Sequence, residues 1–384
     1  MKYLKQFSLF ESAAKLSASQ ISFLNKGTQS GGTWSLNTQT GLVDIDGNFR
    51  ISKTTRTALP VLFGVVTGDF IFDRFSGLFV SLKGSPLEVG GDFICRVISL
   101  TSLEGAPQSV GGNFSCGGNK LTSLEGSPRK IGGNFNCGEN KIASLVGSPT
   151  EVGGEFYCSG NKLTSLEGAP QSIGGDFICF TNQLTSLEGA PQEIIGDFNC
   201  GNNQLTSLEG IPAKIGGGFD CSSNSLTSLV GAPGGIRPYF HCGGNKLTSL
   251  IGAPQNVSGD FNCESNELTS LLGAPIEVGR NFNCNYNPLI SLEGVPMRIG
   301  GNFSYSDYFS GIKWNIEGWL EGIKQDPKLF LPFIVRMAEN IDPADLSPED
   351  LNIIRKKFPK SFKILSKRFG SGTTTLADLG ELGF

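Results

Sequence analysis

The chain has 384 residues and a formal net charge of −4, with 53 glycines, 19 prolines and ten cysteines. A net charge this small gives the whole protein no general attraction to nucleic acid or to acidic membranes. The first residues lack a signal-peptide pattern, and no apolar run is long enough to span a membrane. We therefore expect a cytoplasmic protein.

Residues 1–42 carry no repeat and are predicted to form an N-terminal helix and a loop. Apolar residues recur with helical spacing over 4–24, whereas 27–41 is rich in glycine, serine, threonine and asparagine. Over 43–51 apolar and polar residues alternate, which predicts a strand. We interpret 43–84 as degenerate repeats that cap the first open edge of a stack.

A 21-residue unit repeats over 85–305, and one complete copy begins at Phe114. It has the pattern Phe-x-Cys-x-x-Asn-x-Leu-x-x-Leu-x-Gly-x-Pro-x-x-(Val/Ile)-Gly-Gly-x. A fixed short period is typical of solenoids, because each unit can bury its apolar face only against a copy of itself. Phe and Cys are two positions apart, so on a strand both should face the core. Asn should bond free backbone groups and form a ladder, and the Gly pair should permit a sharp turn.

All ten cysteines occupy one position of this unit: Cys95, Cys116, Cys137, Cys158, Cys179, Cys200, Cys221, Cys242, Cys263 and Cys284. In-register parallel strands lie about 4.8 Å apart, whereas a disulfide needs Cβ atoms about 3.8 Å apart on converging vectors. We predict reduced, buried thiols and no cofactor, with metal or redox chemistry as the alternative. No Cys-x-x-Cys pair supports zinc, and His241 should face away from Cys242.

The run Phe-x-Cys-x-x-Asn-x-Leu resembles the strand core of leucine-rich repeats, with Phe and Cys at leucine positions. The run Asn-x-Leu-Thr-Ser-Leu-x-Gly-x-Pro is similar to the short bacterial type of that family, which implies an extended convex side. The phrase over 32–47, followed by these units, also resembles repeat proteins of tailed bacteriophages. Some bacterial effectors join similar repeats to a helical ubiquitin-ligase domain. Those ligases need a catalytic cysteine in the helical domain. Residues 306–384 of this chain contain no cysteine, which argues against a ligase of that type.

After residue 305 the apolar spacing becomes helical, which predicts a small C-terminal α-helical domain with a flexible tail over 306–384. Between 353 and 369 this region has seven basic residues and no acidic one. A basic helix of this kind is typical of nucleic-acid binding, of contact with an acidic protein surface, or of a helix face that is simply exposed to solvent. Its basic residues are Arg355, Lys356, Lys357, Lys360, Lys363, Lys367 and Arg368.

A binding function would lie in the residues that vary between units, because the repeated ones maintain the fold. The positions beside Phe and after Cys should form one outward surface, about 55 Å long if a dozen strands stack. Residues 85–305 include 19 acidic and 11 basic residues, and an acidic surface with aromatic anchors suits a protein partner with a basic surface. The predicted partner-binding residues are Asp92, Glu155, Tyr157, Asp176, Phe180, Asp197, Asp220, Tyr239, His241, Asp260 and Tyr286.

The sequence thus predicts a repeat solenoid, a leucine-rich-repeat-like parallel β stack, that is a non-enzymatic protein-interaction module. The phage resemblance places it in the host cytoplasm or, alternatively, in the virion as a structural component docked through its C-terminal domain. Nucleic-acid contact through the basic helix is a second alternative. An acidic face that is solvated and binds nothing also remains open.

Overall fold

A computed structural model describes residues 15–52, 56–73, 79–289 and 293–305, which form a parallel, leucine-rich-repeat-like β solenoid. Each regular turn contains a two-residue strand that begins at the repeated Phe, and these strands form one sheet, here called the Phe sheet. Most turns add a second short strand at the Val/Ile position. The predicted C-terminal helical domain, with its basic helix, lies outside the described residues.

The Phe sheet has thirteen parallel strands, and neighbouring phenylalanines are in register from Phe49 to Phe303. Its strands are β3 (Phe49–Ile51), β5 (Phe70–Phe72), β7 (Phe93–Ile94), β9 (Phe114–Ser115), β11 (Phe135–Asn136), β13 (Phe156–Tyr157), β15 (Phe177–Ile178), β17 (Phe198–Asn199), β19 (Phe219–Asp220), β20 (Phe240–His241), β22 (Phe261–Asn262), β24 (Phe282–Asn283) and β26 (Phe303–Ser304).

The other strands form a second, interrupted layer of eight, two and three strands. The eight are β1 (Thr33–Leu36), β2 (Leu42–Asp46), β4 (Leu62–Val66), β6 (Glu88–Val89), β8 (Ser109–Val110), β10 (Lys130–Ile131), β12 (Glu151–Val152) and β14 (Ser172–Ile173). The two are β16 (Glu193–Ile194) and β18 (Lys214–Ile215), and the three are β21 (Asn256–Val257), β23 (Glu277–Val278) and β25 (Arg298–Ile299). The predicted extended convex side is therefore observed in the regular turns.

The core is a set of stacked columns of Phe, Cys, Leu, Leu and Val/Ile. In the turn that begins at Phe135, the side chains of Phe135, Cys137, Ile142, Leu145 and Val152 are all buried. From Phe93 onward, neighbouring Phe rings lie 5.2–5.7 Å apart between centroids. Each buried Phe contributes about 1.5–3 kcal/mol of hydrophobic stabilisation. The predicted orientation of Phe and Cys toward the core is confirmed.

The N-terminal end of the core is covered by α1 (Ala18–Gly27). Ser17 is its N-cap and forms a capping box with Gln20, so this helix begins at Ala18. The part of the predicted 4–24 pattern before residue 15 lies outside the described residues. The ring of Phe23 lies 5.5 Å from that of Phe49, in the first strand of the Phe sheet. Gly27 is required here, because an added Cβ would lie 2.2 Å from the Phe49 ring.

The stretch 27–41, predicted as a loop, contains strand β1, which pairs antiparallel with β2. Asn37 makes the tight connection, since its side-chain oxygen accepts bonds from the N–H groups of Gln39 and Thr40. The prediction of a loop from the glycine, serine and threonine content was wrong for this segment, because β1 is a short, partly exposed edge strand. Residues 43–84, predicted as degenerate capping repeats, supply β2–β5 in register with the regular turns.

The repeated Asn joins each turn to the preceding one through backbone groups. Nδ2 of Asn140 donates to the carbonyl oxygens of Cys137 at 3.0 Å and Cys116 at 3.2 Å, and its Oδ1 accepts from the N–H of Leu121 at 3.0 Å. The predicted bonding to the backbone is confirmed. The ladder runs from side chain to neighbouring backbone, however, and not from one asparagine side chain to the next.

The Gly pair before each Phe strand is needed for close approach between turns. A Cβ on Gly132 would lie 2.1 Å from the carbonyl oxygen of Gly111 in the preceding turn. The positive φ values in this unit belong to two other glycines, Gly118 at +68° and Gly126 at +91°. The Gly pair was predicted to permit a sharp turn. It is needed instead because neighbouring turns lie too close together for a side chain at these positions.

We expect Gly132→Ala to lower the free energy of unfolding by about 1–3 kcal/mol, because its methyl group must displace the neighbouring backbone. Gly234→Ala is the matched control, since nothing lies within 4 Å of its added Cβ. Urea denaturation followed by circular dichroism measures both variants. Equal stability of the two variants would contradict the steric requirement.

Candidate functional site

The outer surface of the Phe sheet, here called the strand face, carries three outward columns. The pre-Phe column is Asp92, Asn113, Asn134, Glu155, Asp176, Asp197, Gly218, Tyr239, Asp260, Asn281 and Asn302. The post-Phe column is Ile94, Ser115, Asn136, Tyr157, Ile178, Asn199, Asp220, His241, Asn262, Asn283 and Ser304. The post-Cys column is Arg96, Gly117, Gly138, Ser159, Phe180, Gly201, Ser222, Gly243, Glu264 and Asn285.

Ten of the eleven predicted partner-binding residues lie in these columns and are half-buried. Tyr286 does not, because Asn285 occupies the position after Cys284. Tyr286 lies one residue further, in the turn, with a φ of +55° and 62% of its surface exposed. The strand face therefore brings the predicted acidic and aromatic residues onto one surface, with Tyr286 at its margin.

The acidic residues of the pre-Phe column also hold the fold together. Oδ1 of Asp176 accepts a hydrogen bond from the N–H of Asp197 in the next turn, at 2.8 Å. Asn113 makes the same bond to the N–H of Asn134, at 2.7 Å. Because the bond needs only a side-chain oxygen, Asp and Asn are equivalent for the fold at this position.

The post-Phe column shows the same equivalence within one turn. Oδ1 of Asp220 accepts from the N–H of Ser222 at 2.9 Å, and Oδ1 of Asn199 accepts from the N–H of Gly201 at 3.0 Å. From the sequence, these aspartates were expected only to bind a partner, and their hydrogen bonds to the backbone were not predicted. The recurrence of Asp or Asn at one repeat position was the signal that could have revealed it.

Four consecutive turns each carry a strand-face carboxylate, namely Glu155, Asp176, Asp197 and Asp220. Burial, and then the charge of Asp176, raise the pKa of Glu155 above its usual value. A carboxyl group with a raised pKa in the folded state opposes folding when ionised, and this cost falls as the pH drops through that pKa. Glu155 and Asp176 thus repel each other across neighbouring turns.

Tyr239 lies over the acidic turns. Its hydroxyl donates to Oδ2 of Asp197 at 2.9 Å, and its ring occupies the space above Gly218, where a Cβ would lie 2.4 Å from the ring. Burial, this hydrogen bond and the charges of Asp197, Asp220 and Asp176 all raise the pKa of Tyr239. The ring also stacks on His241, with 4.7 Å between centroids.

A second aromatic pair lies further toward the N-terminus. Tyr157 lies over Gly138, whose added Cβ would be 2.4 Å from the ring, and it contacts Phe180 edge-on with 6.1 Å between centroids. Tyr157 and Phe180 lie in the first two acidic turns, and Tyr239 and His241 lie in the turn that follows the last one. The strand face thus combines negative charge with partly exposed aromatic rings, as binding surfaces for basic partners often do.

The cysteines are free and fully inside the core. Burial raises the pKa of Cys116 and Cys284 to about 12 and raises the pKa of the other eight as well. A thiol with a raised pKa stays protonated at neutral pH and is a poor nucleophile. His241 stacks on Tyr239 at the surface while Cys242 is buried, as their alternation along the strand predicts.

We expect no cysteine of the folded protein to react with a disulfide reagent at neutral pH over minutes, because the thiols are buried and protonated. After unfolding in guanidinium chloride, all ten per chain should react at once. Absorbance of the released thiolate counts the reacting groups. A fast-reacting thiol in the folded protein would contradict the buried column.

Among the described residues, no group of three or more His, Cys, Asp or Glu is placed to hold a metal ion. No helix in the described part of the chain is long and apolar enough to cross a membrane.

No protein-family profile and no curated protein matches the chain. Among solved structures, it is similar to YopM from Yersinia enterocolitica WA-314, with 14% sequence identity and a TM-score of 0.37. The match covers 79% of this chain and 87% of that chain. A likeness at this TM-score carries no argument about function, so the functional argument depends on the strand face itself.

Proposed function

We propose that this chain is a protein-interaction module that binds a partner with a basic surface through its strand face. One observation carries the proposal. At positions where asparagine would serve the fold equally well, the chain places carboxylates in neighbouring turns, and the neighbouring charges of Glu155 and Asp176 repel each other.

Placing carboxylates on neighbouring strands lowers the stability of the folded protein. Like charges on neighbouring strands destabilise a sheet by about 0.2–1 kcal/mol per pair. Other turns avoid that cost, because Asn113, Asn134 and Asn281 make the inter-turn bond without a charge. A costly feature that the fold does not need is typical of a binding site.

The aromatic pairs complement the charge. Tyr157 with Phe180, and Tyr239 with His241, present ring surface at the two ends of the acidic run. Aromatic side chains supply much of the binding energy in protein interfaces, and complementary charge mainly accelerates association and selects the partner. We infer that the rings anchor the partner while Asp176, Asp197 and Asp220 orient it.

The other predictions stay predictions. A virion or assembly role and contact with nucleic acid both depend on residues 306–384, outside the described part of the chain. A phage source, a cytoplasmic location and the lack of enzymatic activity likewise rest on the sequence arguments alone.

We expect the triple variant Asp176→Asn, Asp197→Asn and Asp220→Asn to fold and to lose most binding of its partner. Each amide keeps the oxygen that accepts the backbone bond, and at position 197 its N–H can donate to the Tyr239 hydroxyl. Pull-down from a cell extract, with quantitative mass spectrometry, identifies proteins held by the wild type, and titration of the purified partner measures the loss.

The matched control is Glu167→Gln, Glu188→Gln and Glu209→Gln, which changes the net charge equally at exposed positions away from the strand face. The control should bind like the wild type. Equal affinity of the Asp→Asn variant and the wild type for every captured protein would contradict the proposal.

A further inference from the structure

The N-terminal part of the strand face contains a groove of about 380 Å³. It crosses the turns that begin at Phe93, Phe114, Phe135 and Phe156, and its lining includes Asp92, Arg96, Asn136, Glu155 and Tyr157. The groove lies beside the acidic run of the proposed binding surface, and the residues of its two edges differ in charge.

Two glycines of the post-Cys column lie between the side chains at the two ends of the groove. A Cβ on Gly117 would lie 2.8 Å from Oδ1 of Asn136 and in ordinary contact, at 3.7 Å, with Nε of Arg96. Gly138 lies under the ring of Tyr157. Arg96 and Tyr157 thus line the groove from opposite ends, and the two turns between them lack side chains at this position.

The guanidinium of Arg96 is unpaired among the described residues. Its Nε is buried and has no hydrogen-bond partner there, and no described carboxylate forms an ion pair with it. Asp73, at the matching position of the preceding turn, is already paired with Arg50 at 2.6 Å. A buried donor without a partner destabilises the protein, and an incoming acceptor would relieve that cost.

The acidic side chains of the groove lie at its other edge. Asp92 and Glu155 belong to the pre-Phe column, four residues before the post-Cys column along each strand. Four strand residues span about 13 Å. A ligand lying along the strands therefore meets negative charge at one edge and the unpaired guanidinium at the other.

We propose that Arg96 binds a carboxylate of the partner protein, on an extended segment whose basic group lies against the pre-Phe column about 13 Å away. This inference rests on the proposed use of the strand face for a basic partner and adds its orientation. Arg96 donates to the carboxylate, Asn136 and Tyr157 form the adjoining wall, and the acidic pre-Phe edge takes the lysine or arginine.

The test uses the full chain and three synthetic peptides with blocked termini: Lys-Ala-Ala-Ala-Glu, the same peptide with Gln for Glu, and the same peptide with Ala for Lys. Binding is measured by NMR titration or calorimetry. We expect the wild type to bind the Glu peptide about tenfold more tightly than the Gln peptide, from one charge-assisted hydrogen bond. This comparison does not depend on the folding of any variant.

A double-mutant cycle assigns the effect to Arg96. In Arg96→Gln, whose folding is checked by circular dichroism, the preference for the Glu peptide should disappear, whereas Arg129→Gln, at an exposed position away from the strand face, should keep it. An equal preference in Arg96→Gln and the wild type would overturn the proposal. So would equally tight binding of inorganic phosphate at the same residues, which would indicate a general anion site.

The peptide without lysine separates this inference from the proposed function. If its affinity equals that of the lysine peptide while the Glu preference persists, Arg96 is a carboxylate site and the basic-partner proposal fails. If lysine matters but Glu and Gln bind equally, the strand face binds basic groups and the Arg96 inference fails.

Discussion

The close stacking of identical turns is the constraint on which the rest of this structure depends. Each turn lies so near the next that Gly132 cannot carry a side chain, and Asn140 reaches the carbonyl groups of two turns. Backbone groups buried between the turns are therefore satisfied, and Phe rings stack on Phe rings. The 21-residue period follows from this, since a residue can serve the stack only when its copy occurs in the next turn.

The same constraint separates the fold from the surface charge. A side-chain oxygen must occupy most positions of the pre-Phe column, but aspartate and asparagine both supply it, as Asp176 and Asn113 show. The distribution of charge along the strand face can therefore change without a change in the stack. In this chain the carboxylates are concentrated over Glu155 to Asp220, and the unpaired Arg96 lies toward the N-terminal end.

The buried columns and the parallel register could be predicted from the sequence, because Phe, Cys and Leu recur at one period and must stack on their copies. The dual role of Asp176 and Asp220 was not predicted, although the recurrence of Asp or Asn at one repeat position was a signal for it. The Arg96 groove depends on Gly117 and Gly138 in neighbouring turns, and no local pattern reports such a pairing. The start of α1 at Ala18 depends on the Ser17–Gln20 capping box, which the spacing of apolar residues does not report.

The central claim is that the strand-face carboxylates are unnecessary for folding and costly to it. The most direct measurement is urea denaturation, at neutral pH and low salt, of the variant in which Asp176, Asp197 and Asp220 are all changed to Asn. The account predicts stability equal to the wild type or about 0.2–1 kcal/mol higher for each relieved pair, with the difference shrinking as salt screens the charges. A variant less stable than the wild type by more than about 1 kcal/mol, the usual worth of one hydrogen bond, would show that the fold itself needs the charges.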